Sequence, residues 1–214
     1  MEENVKVGGA NCESEKVFAY AKDYLSGVGG WAYPAYDAYP GTPGSMMGEA
    51  DLLAVCLLNA GQNPIPTYYG LKKLIPAMND VLARLPSDVT FAEGNPATLD
   101  IIADLFGILD EHPTQHVGKT KLMKVLHRKR PELIPLFDEN IRRCYSEIGE
   151  PPVPSMKKRT HRDFAAAWLP ALQNDLNSQM KVWDEIAGMA IPEVPISALR
   201  AIDIVGWRLG SKRG

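Results

Sequence analysis

The chain has 214 residues, 45% of them hydrophobic, a net charge of −3 and three cysteines. That is enough for one large domain, or two small lobes, around a substantial core, and the absence of any run of about 18 apolar residues excludes a helical membrane span. Met1-Glu2-Glu3-Asn4 lacks the basic start and apolar stretch of a leader, and Cys12, Cys56 and Cys144 lie far apart and show no paired metal spacing, so a cytoplasmic protein with buried free thiols is expected.

Helical periodicity runs through almost the whole chain, and the fold is expected to be all-α. Val17, Phe18, Ala21 and Leu25 predict a helix over 13–25. Residues 27–44, rich in Gly, Pro and aromatics, read as loop. An apolar helix is expected over 48–60, with Leu52, Val55, Cys56 and Asn59 along one side and Gly61 and Pro64 ending it. A helix over 68–85 contains Pro76, a candidate kink. Asn95 is placed to cap a helix over 96–109. A turn at Val117-Gly118 then opens a short helix, and Asp138 opens another. A proline-rich loop follows over 150–155, Pro170 interrupts a long helical pattern over 161–186, and Ser197 caps a last helix over 197–209. No alternating strand pattern persists, and no internal repeat occurs.

The most specific signal is His116-Val117-Gly118-Lys119-Thr120-Lys121 followed by Pro135-Leu136-Phe137-Asp138-Glu139-Asn140-Ile141-Arg142-Arg143. Backbone N–H groups at a helix start, with the partial positive charge of the helix end, suit a phosphate. Twenty residues after Gly118 stands Asp138; such a carboxylate either caps its helix or stands exposed in a cleft. Between Lys119 and Arg162 there are twelve Lys and Arg against five acids, a surplus of seven that leaves the rest of the chain at −10. Clustered cations on an acidic protein are a candidate phosphate footprint; a solvated helix face is the alternative. His112, His116, His127 and His161 form no metal-ligand spacing.

Over about residues 112–149 these motifs resemble the helix-hairpin-helix DNA glycosylase superfamily. Its signature is a Leu-Pro-Gly-Val-Gly-like hairpin, a helix, then Pro-Val-Asp-x-x-Val-x-Arg with a catalytic aspartate. Val117-Gly118 match the end of the hairpin, residues 120–126 the helix after it, and Asp138, Ile141 and Arg143 the aspartate motif, with the Gly-to-Asp separation preserved. The chain departs in two places: His116 replaces the first hairpin glycine, and Phe137 is inserted before the aspartate. The ending Ile196-Ser197-Ala198-Leu199-Arg200-Ala201-Ile202-Asp203 resembles the close of an uncharacterised bacterial family carrying the same hairpin.

The resemblance implies a single domain over 1–214 with two helical lobes, and a cleft whose mouth is lined by the hairpin and Asp138. It implies an enzyme that binds double-stranded DNA, flips out a non-standard or modified base and hydrolyses its N-glycosidic bond. Asp138 would stabilise the oxocarbenium-like sugar and orient or deprotonate the attacking water. Val117, Gly118, Lys119, Thr120, Lys121 and Arg143 would contact DNA, largely at phosphates. Bifunctional members use a lysine on the hairpin's second helix as a Schiff-base nucleophile. Thr120 stands at that place between Lys119 and Lys121, implying a monofunctional enzyme, whereas a one-residue shift would put a lysine there. The run 57–63 resembles the turn that fills the gap left by a flipped base, with Gln62 or Asn63 as filler. In the aromatic run 31–39, Trp31, Tyr33 and Tyr36 are base-pocket candidates, or else the loop packs over the core. The iron–sulfur cluster of some members needs four closely placed cysteines, so no cofactor or metal is expected, nor an obligate protein partner. Beside repair, the divergence leaves room for antiviral defence by excision of hypermodified cytosines from phage DNA. Two other classes stay open: a non-catalytic helix-hairpin-helix DNA-binding module, in which Asp138 only caps, and a helical protein-interaction domain.

Overall fold

The computed structural model describes residues 4–28, 30–153 and 155–212. The expectation drawn from residues 1–3 lies outside them, as do Gly29 and Pro154 of the two predicted loops. The chain begins with a feature the periodicity did not predict. β1 (Asn4–Val7) and β2 (Ala10–Glu13) pair antiparallel, Val5 opposite Cys12 and Val7 opposite Ala10. The signal is short: Val5 and Val7 alternate with polar residues before Gly8-Gly9, and a tight two-residue turn favours glycines. Gly8 takes a left-handed φ of 60°. The hairpin is anchored by its turn, with Gly9 N–H donating to the Cys144 carbonyl (2.8 Å) and Gly8 N–H to Asp175 Oδ2 (2.7 Å).

The other regular elements among the described residues are helical, joined by loops: α1 (Ser14–Leu25), a 3₁₀ turn (Glu49–Leu53), α2 (Ala54–Leu57), α3 (Pro64–Leu82), α4 (Pro96–Glu111), α5 (Lys119–Lys129), α6 (Glu139–Ser146), α7 (His161–Ser178), α8 (Met180–Ala187) and α9 (Ala198–Leu209). Predicted caps form at Asn95, which accepts from Thr98 N–H (2.9 Å), and at Ser197, which accepts from Arg200 N–H (3.1 Å). Three boundaries differ from expectation. The 48–60 segment is a 3₁₀ turn and a single helical turn rather than one helix. Asp51 draws it tight by accepting from Thr42 (3.0 Å) and Gly48 N–H (2.8 Å), and it pairs with buried Lys129 at 3.0 Å. Second, α3 starts at Pro64, where a missing N–H costs nothing, and runs through Pro76. Third, the 161–186 pattern breaks at Gln179 instead of Pro170. The Gln179 amide is drawn to β1, bonding Lys6 N–H (2.9 Å) and Lys6 C=O (2.8 Å).

The core gathers around Trp168, which meets Phe137 (5.0 Å between centroids), Phe106 (5.8 Å) and Tyr145 (6.0 Å) edge to face, a favoured aromatic geometry. α7 lies along α4, and α9 packs on α8 and α6. Phe137, the residue inserted ahead of the aspartate motif, is thereby a core anchor that fixes where Asp138 emerges. Among the described residues no helix is long and apolar enough to cross a membrane.

Candidate active site

Asp138 stands at the N-cap of α6 in extended conformation, and its Oδ1 accepts from Ile141 N–H at 3.0 Å. The side chain also lines a cavity of about 490 Å³. Capping and facing the cavity are thus compatible: one oxygen serves the helix and the carboxylate still borders open space.

The turn between α4 and α5, where the resemblance places its hairpin, reaches the same cavity. Between α4 and α5, His116 adopts a left-handed φ of 66°, a conformation that glycine takes without strain. Its carbonyl is held by Lys121 Nζ (3.0 Å) and Thr67 Oγ1 (3.4 Å). Gly118 precedes α5, and a Cβ built there would meet nothing within 4 Å. Val117 N–H is used by the Thr114 carbonyl (3.2 Å), so the open donors at this helix start are those of Gly118, Lys119 and Thr120. α3 presses on the hairpin at Gly70, whose added Cβ would lie 2.7 Å from Val117 Cγ2. That contact brings the 58–63 turn alongside. Gln62 lines the cavity; Asn63 is exposed with φ 54° and does not line it.

Other expected roles change. Trp31 lines the cavity, with its ring 5.3 Å from that of Tyr24. Tyr33 and Tyr36 do not. Both are core residues: Tyr33 bonds Val194 C=O (2.9 Å) and Ile191 N–H (2.7 Å), while Tyr36 donates to Lys124 C=O (2.7 Å). Lys121 donates to Gln62 C=O (2.7 Å), Thr67 Oγ1 (2.7 Å) and His116 C=O, engaging all three of its protons in a clamp between turn, α3 and hairpin. Arg143 donates to Gly210 C=O and to Glu147 Oε2 (3.3 Å), tying α6 to the end of α9. Neither is free for a phosphate in this arrangement. Lys119 rests over the rings of Phe137 (5.1 Å) and Phe164 (5.3 Å), and burial lowers its pKa. Thr120 faces the cavity.

Three charged wall residues were not singled out from sequence. Lys124, one helical turn beyond Thr120 on α5, is buried and donates to Leu58 C=O at 2.6 Å. Burial lowers its pKa, against the pull of Asp138 and Asp203. Arg200, on α9, is 2% exposed. It is held by Asp37 (2.8 and 3.2 Å), the Tyr24 hydroxyl (3.1 Å) and Asp203. Asp203 completes the wall, its carboxyl pushed up to about 6 by burial; Arg200 and Lys124 oppose the shift and the charge of Asp138 adds to it. The i, i+4 spacing from Thr120 was a usable signal for Lys124; nothing local marks Arg200 or Asp203 as cavity residues. Among the described residues no group of three or more His, Cys, Asp or Glu is arranged to hold a metal.

Residues 17–210 match DUF6308, a family of unknown function. The chain belongs to the DUF6308 family. Every residue lining the cavity, from Tyr24 to Trp207, falls within the matched span. Neither a curated protein nor a solved structure matches the chain. For this DUF6308 member the functional argument therefore rests on the cavity, whose lining combines the aromatic Tyr24, Trp31 and Trp207 with the charged Lys121, Lys124, Asp138, Glu139, Arg200 and Asp203.

Proposed function

We propose that this protein is a monofunctional DNA glycosylase of helix-hairpin-helix type. It would take a modified base from double-stranded DNA into the cavity and hydrolyse its glycosidic bond. The observation that carries the reading is the meeting of Asp138, Gly118 and Gln62, from three separate segments, around one cavity. Asp138 then stabilises the positive charge developing on the sugar and takes a proton from the attacking water. The free N–H groups at the start of α5 hold a phosphate nearby. Gln62 enters the stack, and Trp31 packs on the extruded base; extrusion costs a few kcal/mol that such contacts offset. The two-lobed cleft, the cytoplasmic location and a choice between repair and excision of hypermodified cytosines from phage DNA belong to this proposal.

One observation favours the non-catalytic DNA-binding reading: Asp138 already has a structural task as a cap. Asp138→Asn separates the two, because an asparagine also caps well. The assay is release of base from duplexes carrying oxidised, alkylated, deaminated or hypermodified bases, scored as alkali-labile sites. The Asn protein should fold and bind DNA as the wild type does, while excision falls on the order of 10³–10⁴-fold. A folded Asn protein that excises at the wild-type rate would sink the assignment.

A further inference from the structure

We propose that Asp203 is a second catalytic acid of this cavity, giving its proton to the departing base while Asp138 stabilises the sugar. The inference rests on the glycosylase reading above and adds a residue to it.

The two carboxyl groups reach one cavity from different helices. Asp138 comes from the start of α6 and Asp203 from the middle of α9. The helices are joined by Asn140 Nδ2 donating to Trp207 C=O (3.0 Å) and Cys144 Sγ to Gly206 C=O (3.3 Å). Their surroundings differ in kind. Asp138 is partly exposed and accepts a backbone hydrogen bond. The Asp203 side chain is only 13% exposed. The titratable and charged groups around it are Arg200 on its own helix, Lys124 on α5, Asp138 on α6, Tyr20 and Tyr24 on α1 and Tyr36 of the aromatic run, with Asp37 behind Arg200. Arg200 divides its charge between Asp203 and Asp37, both almost out of water, so it does not fully fix Asp203 as an anion. A carboxyl that titrates near 6 keeps a protonated fraction close to neutral pH, the range in which a general acid is effective. One buried carboxyl and one hydrogen-bonded carboxylate over a shared cavity are the division by which acid and charge stabiliser are separated in sugar hydrolysis.

The step balances. The C1′–N bond breaks with its electron pair going to the base, and the base takes the Asp203 proton. Water adds to C1′ and loses a proton to Asp138. The products are the free base and an abasic sugar with a C1′ hydroxyl. Asp203 is left ionised and Asp138 protonated, and exchange with solvent resets both. A base that is already cationic leaves as a neutral molecule and needs no donor.

The test compares wild type, Asp203→Asn and Asp203→Glu from pH 4.5 to 8.5. The duplexes carry uracil, hypoxanthine, 8-oxoguanine, glucosylated hydroxymethylcytosine or cationic 7-methylguanine. Wild-type excision of neutral bases should fall as pH rises through about 6. The Asn variant should lose that dependence and about 100-fold in rate on neutral bases, a typical share for a general acid, with less than about a tenfold loss on 7-methylguanine, whose departure needs no such acid. The Glu variant should recover part of the rate. An Asn variant that keeps rate and pH profile on a neutral base overturns the donor role and leaves the glycosylase reading standing. So does a wild type that releases only the cationic base. A wild type that releases no base from any duplex overturns both. Should the Asn variant fail to fold around Arg200, infrared titration of the wild type decides. A protonated-carboxyl band lost near pH 6 and retained in Asp138→Asn, Asp175→Asn and Glu132→Gln, whose own carboxyls burial also raises, supports the donor; no such band titrating above about pH 5, roughly a unit over an ordinary aspartate, overturns it.

Discussion

Under the proposed glycosylase function, the amines around Asp138 decide whether an abasic sugar is simply left or also opened. A Schiff base needs an unprotonated amine able to reach C1′, and the Thr120 hydroxyl cannot form one. Lys119 is held over two phenyl rings, and Lys121 is engaged by three oxygens. Borohydride added during turnover should therefore trap no protein–DNA adduct. An adduct that survives Lys119→Ala and Lys121→Ala but vanishes in Lys124→Met would identify Lys124 as nucleophile and make the enzyme bifunctional. His127 carries a different prediction. It is fully buried, stacks on Tyr36 (6.1 Å, 12°) and donates from Nδ1 to Ile134 C=O (2.6 Å). Burial, then the charge of Arg200, lowers its pKa to about 3. The unfolded chain takes up this proton below about 6.5 while the folded chain does not. Stability from His127 is thus present above pH 6.5 and lost as pH falls toward 3. Asp203, raised to about 6, works in the other sense: its contribution is present below its ordinary value and lost as pH rises through 6. His127→Gln should accordingly remove up to about 2 kcal/mol of the stability lost between pH 7 and 4.5, read as a smaller fall in Tm; an unchanged fall would mean that His127 protonates without cost.

Between elements, the seam of α6 and α9 matters most, because it brings Asp138 and Asp203 to one cavity. α9 comes so close that a Cβ at Gly210 would lie 2.0 Å from Asn140 O. Arg143 closes the seam by donating to the Gly210 carbonyl at the end of α9. A charged hydrogen bond to an otherwise unpaired helix-terminal carbonyl contributes roughly 1.5–3 kcal/mol. Arg143→Ala should lower stability by about that amount and slow excision, while the salt dependence of DNA binding stays the same. A flatter salt slope in that variant would return Arg143 to the phosphate-contact role that the sequence motif implied. The Lys121 clamp is the second such device. Lys121→Met should free the Gln62 turn from the hairpin and slow excision of paired bases more than of mispaired ones, which are already partly unstacked. Equal losses on both would mark the turn as purely structural.

Across the whole molecule, the basic surplus between Lys119 and Arg162 is largely answered from within. Lys129 pairs with Asp51, Arg142 with Glu139 and Glu147, and Arg162 with Asp100 and Asp104; Arg128 and Arg130 donate to backbone carbonyls. Lys157 and Lys158 are exposed in the loop leading into α7, whose first N–H groups bond Asp110 beside the hairpin. Replacing both with Ala should weaken binding to all duplexes alike and reduce the log–log salt slope by up to about 2, close to one unit per phosphate contact. A full-length slope left unchanged would place this loop away from DNA. The pairing also explains how far the charge count could be read. It gave the surplus correctly, but whether a cation faces solvent depends on acids 50 to 80 residues away, such as Asp51 for Lys129 and Asp104 for Arg162.

What the sequence determined by itself is what forms within a few residues. The caps at Asn95, Ser197 and Asp138 involve groups three positions apart, and the turn at His116 to Gly118 is equally local, so residue order is enough to place them. That Asp138 and Gly118 would border one cavity was what the resemblance implied, not something residue order could place by itself. Tertiary structure decided the rest of the wall. Trp31, Tyr33 and Tyr36 look alike as aromatics of one loop; only the approach of α5 and α9 to Tyr36, and of the 191–194 segment to Tyr33, buries the two tyrosines, while the tryptophan stays at the cavity. The break at Gln179 required β1, and the tight 3₁₀ turn required Lys129. Lys124, Arg200 and Asp203 acquire their chemistry from burial, which is a property of packing between distant segments. Only for Lys124 does a local pattern, its spacing from Thr120, point to the wall.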